Sequence, residues 1–302
     1  MLTRRTLLSA ALASPVAGQA ARAGAVSAQE SGFTSDRMLI QVLGRGRDVI
    51  LVPGLASTGE VWRSVADVLR NRMRVHVVSV RGFGPGSAGA NAEGPIIGPL
   101  ATELNRYIAS ARLDAPAVIG HSMGALIGMR AAADAGRSRT SGAGRLMAID
   151  AAPFFPALIS QAAVAADVEP LARLAYQAVM LLGDGALRSP DLLGGELGGA
   201  ADSLWTSFGW QGGDRHTMAQ SLYEVMTLDL RHRLPDISAP VTVVYGWSRD
   251  DASPRAHVDR LFRAAYANLP RPAVFEPIEG AEHMVMIDRP RAFMAAVERF
   301  LG

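Results

Sequence analysis

The sequence of 302 residues predicts an α/β protein with a mostly parallel central sheet, flanking helices and an inserted helical cap. Three observations support this fold class. Short apolar runs alternate with segments at helical spacing, several runs end in glycine-bearing turns, and residues 154–235 show no strand pattern. Strands that are apolar on both sides are typical of parallel sheets covered by helices on both faces.

The predicted strands are short, largely apolar runs, which in chain order cover residues 38–43, 48–52, 74–80, 115–119, 145–149, 241–245 and 273–277. Helical spacing of apolar residues predicts helices over 61–69 and 103–111, after Gly124, and near the C-terminus at 293–300. In a parallel sheet, reactive groups belong at the carboxyl ends of the strands. The glycine-bearing turns that follow four of these runs should therefore meet at one edge of the sheet.

The chain divides into a leader, a connection, a core and a cap. Arg4 and Arg5 precede a mildly apolar stretch, and Ala21-Arg22-Ala23 offers a cleavage site, so residues 1–23 are predicted to be a twin-arginine signal peptide. A frayed amphipathic helix is the alternative. Residues 24–36 are expected to be a flexible linker, residues 37–153 and 236–302 the core, and residues 154–235 the helical cap. The protein is thus expected to be exported, to the periplasm or as a secreted protein.

The composition, 49% hydrophobic and 19% charged, is that of a globular protein, and no run of about 20 apolar residues follows the N-terminus, so we expect no stable membrane insertion. Loss of the leader would remove three arginines and change the formal charge from +2 to −1, which leaves no basic patch for nucleic acid. The absence of cysteine excludes thiolate metal sites, and no His/Asp/Glu cluster has metal-ligand spacing. No metal and no cofactor is predicted, because Arg81-Gly82-Phe83-Gly84 also lacks the remaining residues of a phosphate-binding loop.

The segment Gly120-His121-Ser122-Met123-Gly124 follows a predicted strand and precedes a predicted helix. In this strand–turn–helix setting, Gly-x-Ser-x-Gly can hold a catalytic serine. Glycine on both sides of the turn leaves room for the chain to pass close to itself. Ser122 is therefore the candidate nucleophile, and an ordinary strand-to-helix turn is the alternative.

A serine hydroxyl barely ionises at neutral pH, so it needs a base within hydrogen-bond distance. Of the six histidines, His283 lies in a loop after the last predicted strand, at the same sheet edge as Ser122. The base needs a carboxylate that fixes its tautomer. Asp250, after the strand over 241–245, is preferred for this role. The adjacent Asp251, and Asp150 just past the strand over 145–149, are the alternatives.

The other histidines have simpler interpretations. His121 is expected to pack or to bond locally, and His76 is expected to lie in the core. His216, His232 and His257 are expected at surface or capping positions. The predicted general base is therefore the remaining histidine, in the loop before the C-terminal helix.

Attack on a carbonyl creates an oxyanion, which two backbone N–H groups must face. The predicted donors are Met123, next to the nucleophile, and Leu55, in the turn after the strand over 48–52. Three aromatic residues of the predicted cap are candidate substrate-binding residues: Trp205, Phe208 and Trp210. Ordinary packing of the cap against the core would also account for any single one of them.

Taken together, these motifs resemble the α/β-hydrolase superfamily over residues 38–302. The resemblance rests on Pro53-Gly54-Leu55, Arg81-Gly82-Phe83-Gly84, the segment around Ser122 and Ala281-Glu282-His283, which occur in the order that the superfamily shows. It implies an α/β-hydrolase fold and a serine hydrolase with a Ser-His-Asp triad in the chain order serine, aspartate, histidine.

The resemblance implies that the protein hydrolyses a small to medium, uncharged carboxylic ester, thioester or lactone through an acyl-enzyme. An apolar cap that contains aromatic residues suits such a small-molecule substrate. The alternatives are a carbon–carbon bond hydrolase or a cofactor-free perhydrolase on the same triad, and a non-catalytic protein that binds a small ligand. An intact Ser/His/Asp set argues against the binding protein, because a receptor has no need of all three residues.

Overall fold

The computed structural model describes residues 29–30, 32–183, 212–248 and 254–302. The strands in this part of the chain are β1 (Gln29–Glu30), β2 (Met38–Gly44), β3 (Arg47–Val52), β4 (Met73–Val80), β5 (Ala117–His121), β6 (Arg145–Ile149), β7 (Val241–Trp247) and β8 (Val274–Glu279). They form one sheet in the order β1-β2-β4-β3-β5-β6-β7-β8. Strand β2 runs antiparallel to β1 and β4, whereas all other neighbours are parallel. The predicted α/β class with a mostly parallel sheet is therefore confirmed.

The α-helices of the described ranges are α1 (Arg63–Leu69), α2 (Ile97–Ser110), α3 (Met123–Ser138), α4 (Ala165–Leu182), α5 (Arg215–Thr227), α6 (Arg255–Ala265), α7 (Val285–Asp288) and α8 (Pro290–Leu301). Short 3-10 helices cover Gly59–Trp62, Gly89–Ala92, Phe155–Leu158 and Arg231–Asp236. Within these ranges no helix is both long enough and apolar enough to cross a bilayer.

Strand β3 lies inside the sheet and is buried on both faces. Val49 and Leu51 pack in a cluster with α1 and α8, whereas Ile50 and Val52 pack on the opposite face with α2, α3 and α6. Successive side chains of a strand point to opposite faces, so a strand between two helical layers is mostly apolar on both faces. This explains the continuous apolar runs of the sequence.

The strand register places the ends of the parallel strands side by side. Val52 of β3 pairs with Gly120 of β5, and His121, the last residue of β5, pairs with Ile149, the last residue of β6. Ile149 pairs in turn with Val244 of β7. The residues that follow β5 and β6 therefore start at the same edge of the sheet, beside the turn after β3.

The chain between β6 and β7 contains helices α4 and α5, which pack on each other, and no strand in its described part. Where this segment returns to the sheet, the N–H of Gly84 donates to the Gly212 carbonyl and the N–H of Asp214 donates to the Gly82 carbonyl, both at 2.8 Å. The glycine-rich turn over residues 81–84 is thus an attachment point for the returning chain. The boundaries of the predicted cap, at 154 and 235, stay a prediction.

Helix α5 also caps helix α2. The Glu224 carboxylate accepts hydrogen bonds from the N–H groups of Ile96 and Ile97, each at 2.8 Å. Backbone N–H groups at a helix start have no partner within the helix, and negative charge there is favoured by the helix dipole. Helix α2 consequently starts at Ile97, earlier than the predicted 103, and its capping residue lies 127 positions away in the sequence.

The predicted linker over 24–36 contains strand β1 and several defined contacts. Gln29 pairs with Val42 of β2. The hydroxyl of Ser35 donates to the Glu103 carboxylate at 2.5 Å, and Nε of Arg81 donates to the Ser35 carbonyl at 3.0 Å. The chain just before β2 is therefore attached to the core, through partners that are distant in sequence.

Candidate active site

Ser122 occupies a tight turn between β5 and α3. Its backbone has φ 51° and ψ −118°, a combination that residues with side chains rarely adopt. An ideal Cβ on Gly120 would lie 2.4 Å from the Gly124 carbonyl oxygen, and one on Gly124 would lie 2.3 Å from the Val52 carbonyl oxygen. Both glycines are therefore required by close backbone approach, which confirms the prediction for this turn.

The Ser122 side chain is fully buried and does not cap the helix that it precedes. Its Oγ forms no hydrogen bond with any described residue, His283 included. Helix α3 begins at Met123, so its N-terminal N–H groups and the positive end of its dipole lie beside this hydroxyl. A buried hydroxyl without a partner costs about 1–3 kcal/mol. A purely structural role for Ser122 does not account for that cost.

His283 lies in the loop between β8 and α7. Its Nδ1 is 2.7 Å from Oδ2 of Asp150, and the two side chains are 13% and 22% exposed. Asp150 follows β6 directly, and its N–H donates to the Val244 carbonyl at 2.7 Å. The N–H of Gly246 approaches its other oxygen, Oδ1, at 3.5 Å. An ionised carboxylate only accepts hydrogen bonds, so His283 carries a proton on Nδ1, as a general base that uses Nε2 requires.

The structure thus brings His283 to Asp150, one of the two alternatives to Asp250. Five further predicted site residues lie outside the described ranges: Asp250, Asp251, Trp205, Phe208 and Trp210. Their roles stay predictions. In the sequence, Asp150 was a candidate because it comes immediately after an apolar strand. The pairing of β5 with β6 places that position beside the turn that carries the nucleophile.

The turn after β3 lies against the nucleophile. An ideal Cβ on Gly54 would lie 3.3 Å from Cβ of Ser122, and Gly124 has the carbonyls of residues 52 and 53 directly beside it. Leu55 and Met123 are both fully buried. The turn that carries Leu55 and the helix start that carries Met123 are therefore in direct contact, which an oxyanion site built from these two N–H groups would need.

His121, the residue before the nucleophile, bonds across the site rather than locally. Its Nε2 lies 2.9 Å from the backbone carbonyl oxygen of His283, and the centroids of the two rings are 4.6 Å apart. Burial, together with the nearby His283, holds the pKa of His121 well below its ordinary value of 6.5. His121 is therefore neutral. The sequence gives no signal for this contact, because its two residues are 162 positions apart.

His76 lies in the core, as predicted, and is 2% exposed. Its Nδ1 accepts a hydrogen bond from the Tyr107 hydroxyl at 2.6 Å, and its Nε2 donates to Asp48 at 2.9 Å. Burial lowers the pKa of His76, although Asp48 acts in the opposite direction. This histidine is thus a hydrogen-bonded core residue with no contact to the nucleophile.

Hydrogen bonding or exposure at the surface accounts for the three remaining histidines. His216 donates from Nε2 to the Gly94 carbonyl at 3.0 Å, and His232 and His257 are exposed. Across the described ranges, no three or more His, Asp or Glu side chains are grouped so that they could hold a metal ion. Of the described histidines, His283 is the one that pairs with a carboxylate at the nucleophile's edge of the sheet.

A model of the alpha/beta hydrolase family matches residues 49–297, a range that includes Ser122, Asp150 and His283. The chain therefore belongs to the alpha/beta hydrolase family. N-formylmaleamate deformylase of Pseudomonas putida is 37% identical over 90 residues, which are 30% of this chain and 33% of that protein. The chain thus spans about a third of the length of the relatives that it matches by sequence.

Solved structures share the fold over almost the whole chain. A thermophilic esterase from Thermogutta terrifontis is similar with a TM-score of 0.66 at 18% identity, over 91% of this chain and 96% of that chain. Est816, an N-acyl homoserine lactone degrading enzyme, is similar with a TM-score of 0.62 at 17% identity, over 89% and 98% of the two chains. At such identities the likeness shows a common fold.

Proposed function

We propose that the protein is a serine hydrolase that cleaves a small to medium, uncharged carboxylic ester, thioester or lactone through an acyl-enzyme. The observation that carries this proposal is the 2.7 Å hydrogen bond between His283 and Asp150, at the sheet edge where Ser122 stands in its strained turn. This pair supplies a base of fixed tautomer next to a serine whose Oγ bonds to none of the described residues. The apolar composition of the predicted cap favours an uncharged substrate.

In the first half-reaction, Nε2 of His283 takes the hydroxyl proton of Ser122 while Oγ attacks the substrate carbonyl. The N–H groups of Leu55 and Met123 hold the resulting oxyanion, and one such donor is worth about 3 kcal/mol. The imidazolium gives its proton to the leaving alcohol or thiol, which departs as the acyl-enzyme forms. Asp150 keeps Nδ1 of His283 protonated and stabilises the imidazolium.

In the second half-reaction, His283 takes a proton from water, and the hydroxide attacks the acyl carbonyl. The second oxyanion collapses, Oγ of Ser122 leaves and regains the proton, and the carboxylic acid is released. Because Oγ makes no hydrogen bond with His283 in this structure, the two side chains must come within hydrogen-bond distance when substrate enters. Such bonds often form fully only in the complex with substrate.

Covalent labelling of Ser122 tests the proposal. A fluorophosphonate probe should label the native enzyme and leave Ser122→Ala unlabelled. Chromogenic esters of increasing acyl length should be turned over by the native enzyme and not by Ser122→Ala. Ester turnover that survives in Ser122→Ala would contradict the proposal, whereas labelling without ester turnover would favour a carbon–carbon bond hydrolase or a perhydrolase on the same residues.

The relatives suggest which substrates to add to this panel. Their names describe a deformylase, an esterase and a lactone-degrading enzyme, all of which break an acyl bond. An N-formyl amide and an N-acyl homoserine lactone are therefore tested beside the esters. We expect esters and lactones to be preferred over the amide, because an amide has a poorer leaving group.

Three matched amide variants test the assignment of the acid. Asp150→Asn should lower kcat by about 10⁴-fold, because Asn would favour the wrong tautomer of His283. Asp250→Asn and Asp251→Asn should keep most of the activity. If Asp250→Asn or Asp251→Asn gives the large loss and Asp150→Asn does not, the acid lies in the loop after β7 and the assignment of Asp150 is wrong.

We also propose that residues 1–23 direct export by the twin-arginine route. The support is the Arg4-Arg5 pair before an apolar stretch and a small-x-small site that ends at Ala23. Fractionation of a bacterial host should place the native protein outside the cytoplasm with Gly24 as its first residue. The double variant Arg4→Lys, Arg5→Lys should stay inside, and Arg70→Lys should be exported normally. Equal export of all three would contradict the proposal.

A further inference from the structure

His121 takes no part in the proton transfers described above, yet it contacts both the base and the turn before Leu55. It is the last residue of β5, and its side chain is 0% exposed. Its Nε2 lies 2.9 Å from the backbone carbonyl oxygen of His283. A carbonyl oxygen only accepts hydrogen bonds, so Nε2 of His121 carries the ring proton and donates it. In the neutral ring, Nδ1 is then unprotonated.

That Nδ1 atom is buried and has no hydrogen-bond partner among the residues that the structure describes. A buried acceptor without a donor costs about 1–3 kcal/mol. If position 121 served packing alone, an apolar side chain of similar size would avoid this cost. The Nε2 atom supplies the compensating interaction, because it gives the carbonyl of His283 a donor. The imidazole at this position is therefore best explained by its bond to the backbone of the base.

The ring of His121 also lies between two other parts of the site, the general base His283 and the turn at Gly54. Its plane is tilted by 54° to the ring of His283, with 4.6 Å between the centroids. On its other side, an ideal Cβ on Gly54 would lie 2.7 Å from Nδ1 and 3.2 Å from Cε1 of His121. His121 thus fills the space between the general base and the oxyanion turn. A neutral ring suits this place, since a second cation beside the imidazolium of His283 would oppose its formation.

We propose that His121 is a positioning residue of this site: its Nε2 bond holds the backbone of His283, and its ring spaces the base from the turn at Gly54. The inference rests on the proposed roles of Ser122 and His283. His121 exchanges no proton with the substrate, but it determines where the base stands. Its effect is expected on kcat, because a displacement of a catalytic group by 1 Å can cost about 100-fold in rate.

Two variants that replace the imidazole by a side-chain amide, at two different side-chain lengths, test this role. The side-chain nitrogen of Gln can take the place of Nε2, whereas Asn is shorter and reaches only the place of Nδ1. We expect His121→Gln to keep kcat within about threefold of the native value and His121→Asn to lose about 10- to 100-fold. KM should change little in both variants, because the side chain of His121 is fully buried and offers no surface to a substrate. His232→Asn, at an exposed histidine, is the matched control and should behave as the native enzyme.

Nitrogen NMR of the native enzyme gives an independent readout, which is needed if His121→Asn does not fold. The ring signals that vanish in His121→Gln identify this residue. We expect the ring of His121 to be neutral, with its proton on Nε2, from about pH 6 to pH 9. A merely structural filler would not need one particular tautomer.

Equal kcat in folded His121→Gln and His121→Asn would overturn the proposal, and so would a native His121 ring that carries its proton on Nδ1. Ser122→Ala distinguishes this outcome from failure of the proposed function. If Ser122→Ala keeps its turnover, the serine mechanism itself is wrong. If Ser122→Ala is inactive while the Gln and Asn variants are equal, only the positioning role of His121 is wrong.

Discussion

Gly54 lies where the oxyanion turn, the nucleophile and His121 meet. A Cβ at this position would stand 2.7 Å from Nδ1 of His121 and 3.3 Å from Cβ of Ser122. Neither neighbour can move away freely, because both are fully buried. We therefore expect Gly54→Ala to lower kcat for a chromogenic ester by about 10-fold or more, through displacement of the turn that carries Leu55. Steady-state kinetics measures this effect.

Gly98→Ala is the matched control for that substitution. Gly98 lies in α2, and no heavy atom stands within 4 Å of a Cβ built on it. The control should therefore keep the native kcat. If Gly54→Ala also kept the native kcat, the close approach at Gly54 would have no importance for catalysis.

The contact between helices α5 and α2 joins the segment after β6 to the core. Glu224 of α5 accepts hydrogen bonds from the N–H groups of Ile96 and Ile97 at the start of α2. Glu224→Ala leaves both donors without this partner, and we expect it to lower the free energy of unfolding by about 1–2 kcal/mol. Urea denaturation followed by circular dichroism measures the change.

Glu169→Ala provides the comparison on the neighbouring helix α4. Glu169 accepts from Arg173 one turn away and, at 3.2 Å, from the Tyr223 hydroxyl of α5. It caps no helix, and exposed pairs such as that with Arg173 contribute little to stability. The free energy of unfolding should therefore remain close to the native value in this variant. A loss as large as that of Glu224→Ala would mean that any lost carboxylate in these helices destabilises the protein, and that capping of α2 is not the reason.

Sequence patterns predict a helix or strand well when the residues that determine its ends lie within it or next to it. Strand β6 runs over Arg145–Ile149, as predicted, because its apolar run ends sharply at a charged residue on each side. The start of α2 was not predictable, since its cap comes from Glu224 in another helix. Strand β1 was missed for a similar reason: two residues pair with β2 through their backbones, and no side-chain pattern marks them.

A polar network inside the sheet links the stability of the whole domain to pH. His76 donates to Asp48 and accepts from Tyr107, and Arg74 donates two hydrogen bonds to the same carboxylate. Burial lowers the pKa of His76 below 6.5 and raises the pKa of Tyr107 to about 12. Burial alone would raise the pKa of Asp48, but the hydrogen bonds from Arg74 and His76 outweigh it and lower this pKa. Near neutral pH the network thus holds a neutral imidazole and an ionised carboxylate.

This network predicts a loss of stability in acid. Folded His76 binds its proton more weakly than the unfolded chain does, so unfolding takes up protons as the pH falls. The contribution of His76 should be fully present above pH 6.5 and should decline as the pH falls through 6.5 towards the lower pKa of the folded state. The lowered pKa of Asp48 adds a further decline at more acidic pH. Urea denaturation at about pH 8 and about pH 5.5 measures the difference in the native protein.

The free energy of unfolding of His76→Gln should differ less between these two pH values than that of the native protein, because the variant lacks one of the groups that take up a proton. His257→Gln, at an exposed histidine, should keep the native difference. If His76→Gln retained the full pH dependence, the acid sensitivity would have to come from other groups.

Some features of the site follow from short sequence motifs, whereas others depend on how the whole chain folds. Ser122 and His283 were identifiable because each lies in a short motif next to a predicted strand or helix. Asp150 could only be an alternative, since its proximity to the base depends on the register between His121 and Ile149. The bond from His121 to the carbonyl of His283 depends on how the end of β5 and the loop after β8 meet at one sheet edge. No local pattern contains that information.

The backbone conformation of Ser122 has a consequence for evolution and engineering. At φ 51° and ψ −118°, with a buried Oγ that lacks a hydrogen bond in the described part of the chain, this serine is costly to the fold. Glycine would relieve both penalties and abolish the nucleophile. Selection for thermal stability alone would therefore favour Ser122→Gly, which has no nucleophile. A screen of variants must consequently measure turnover in every round.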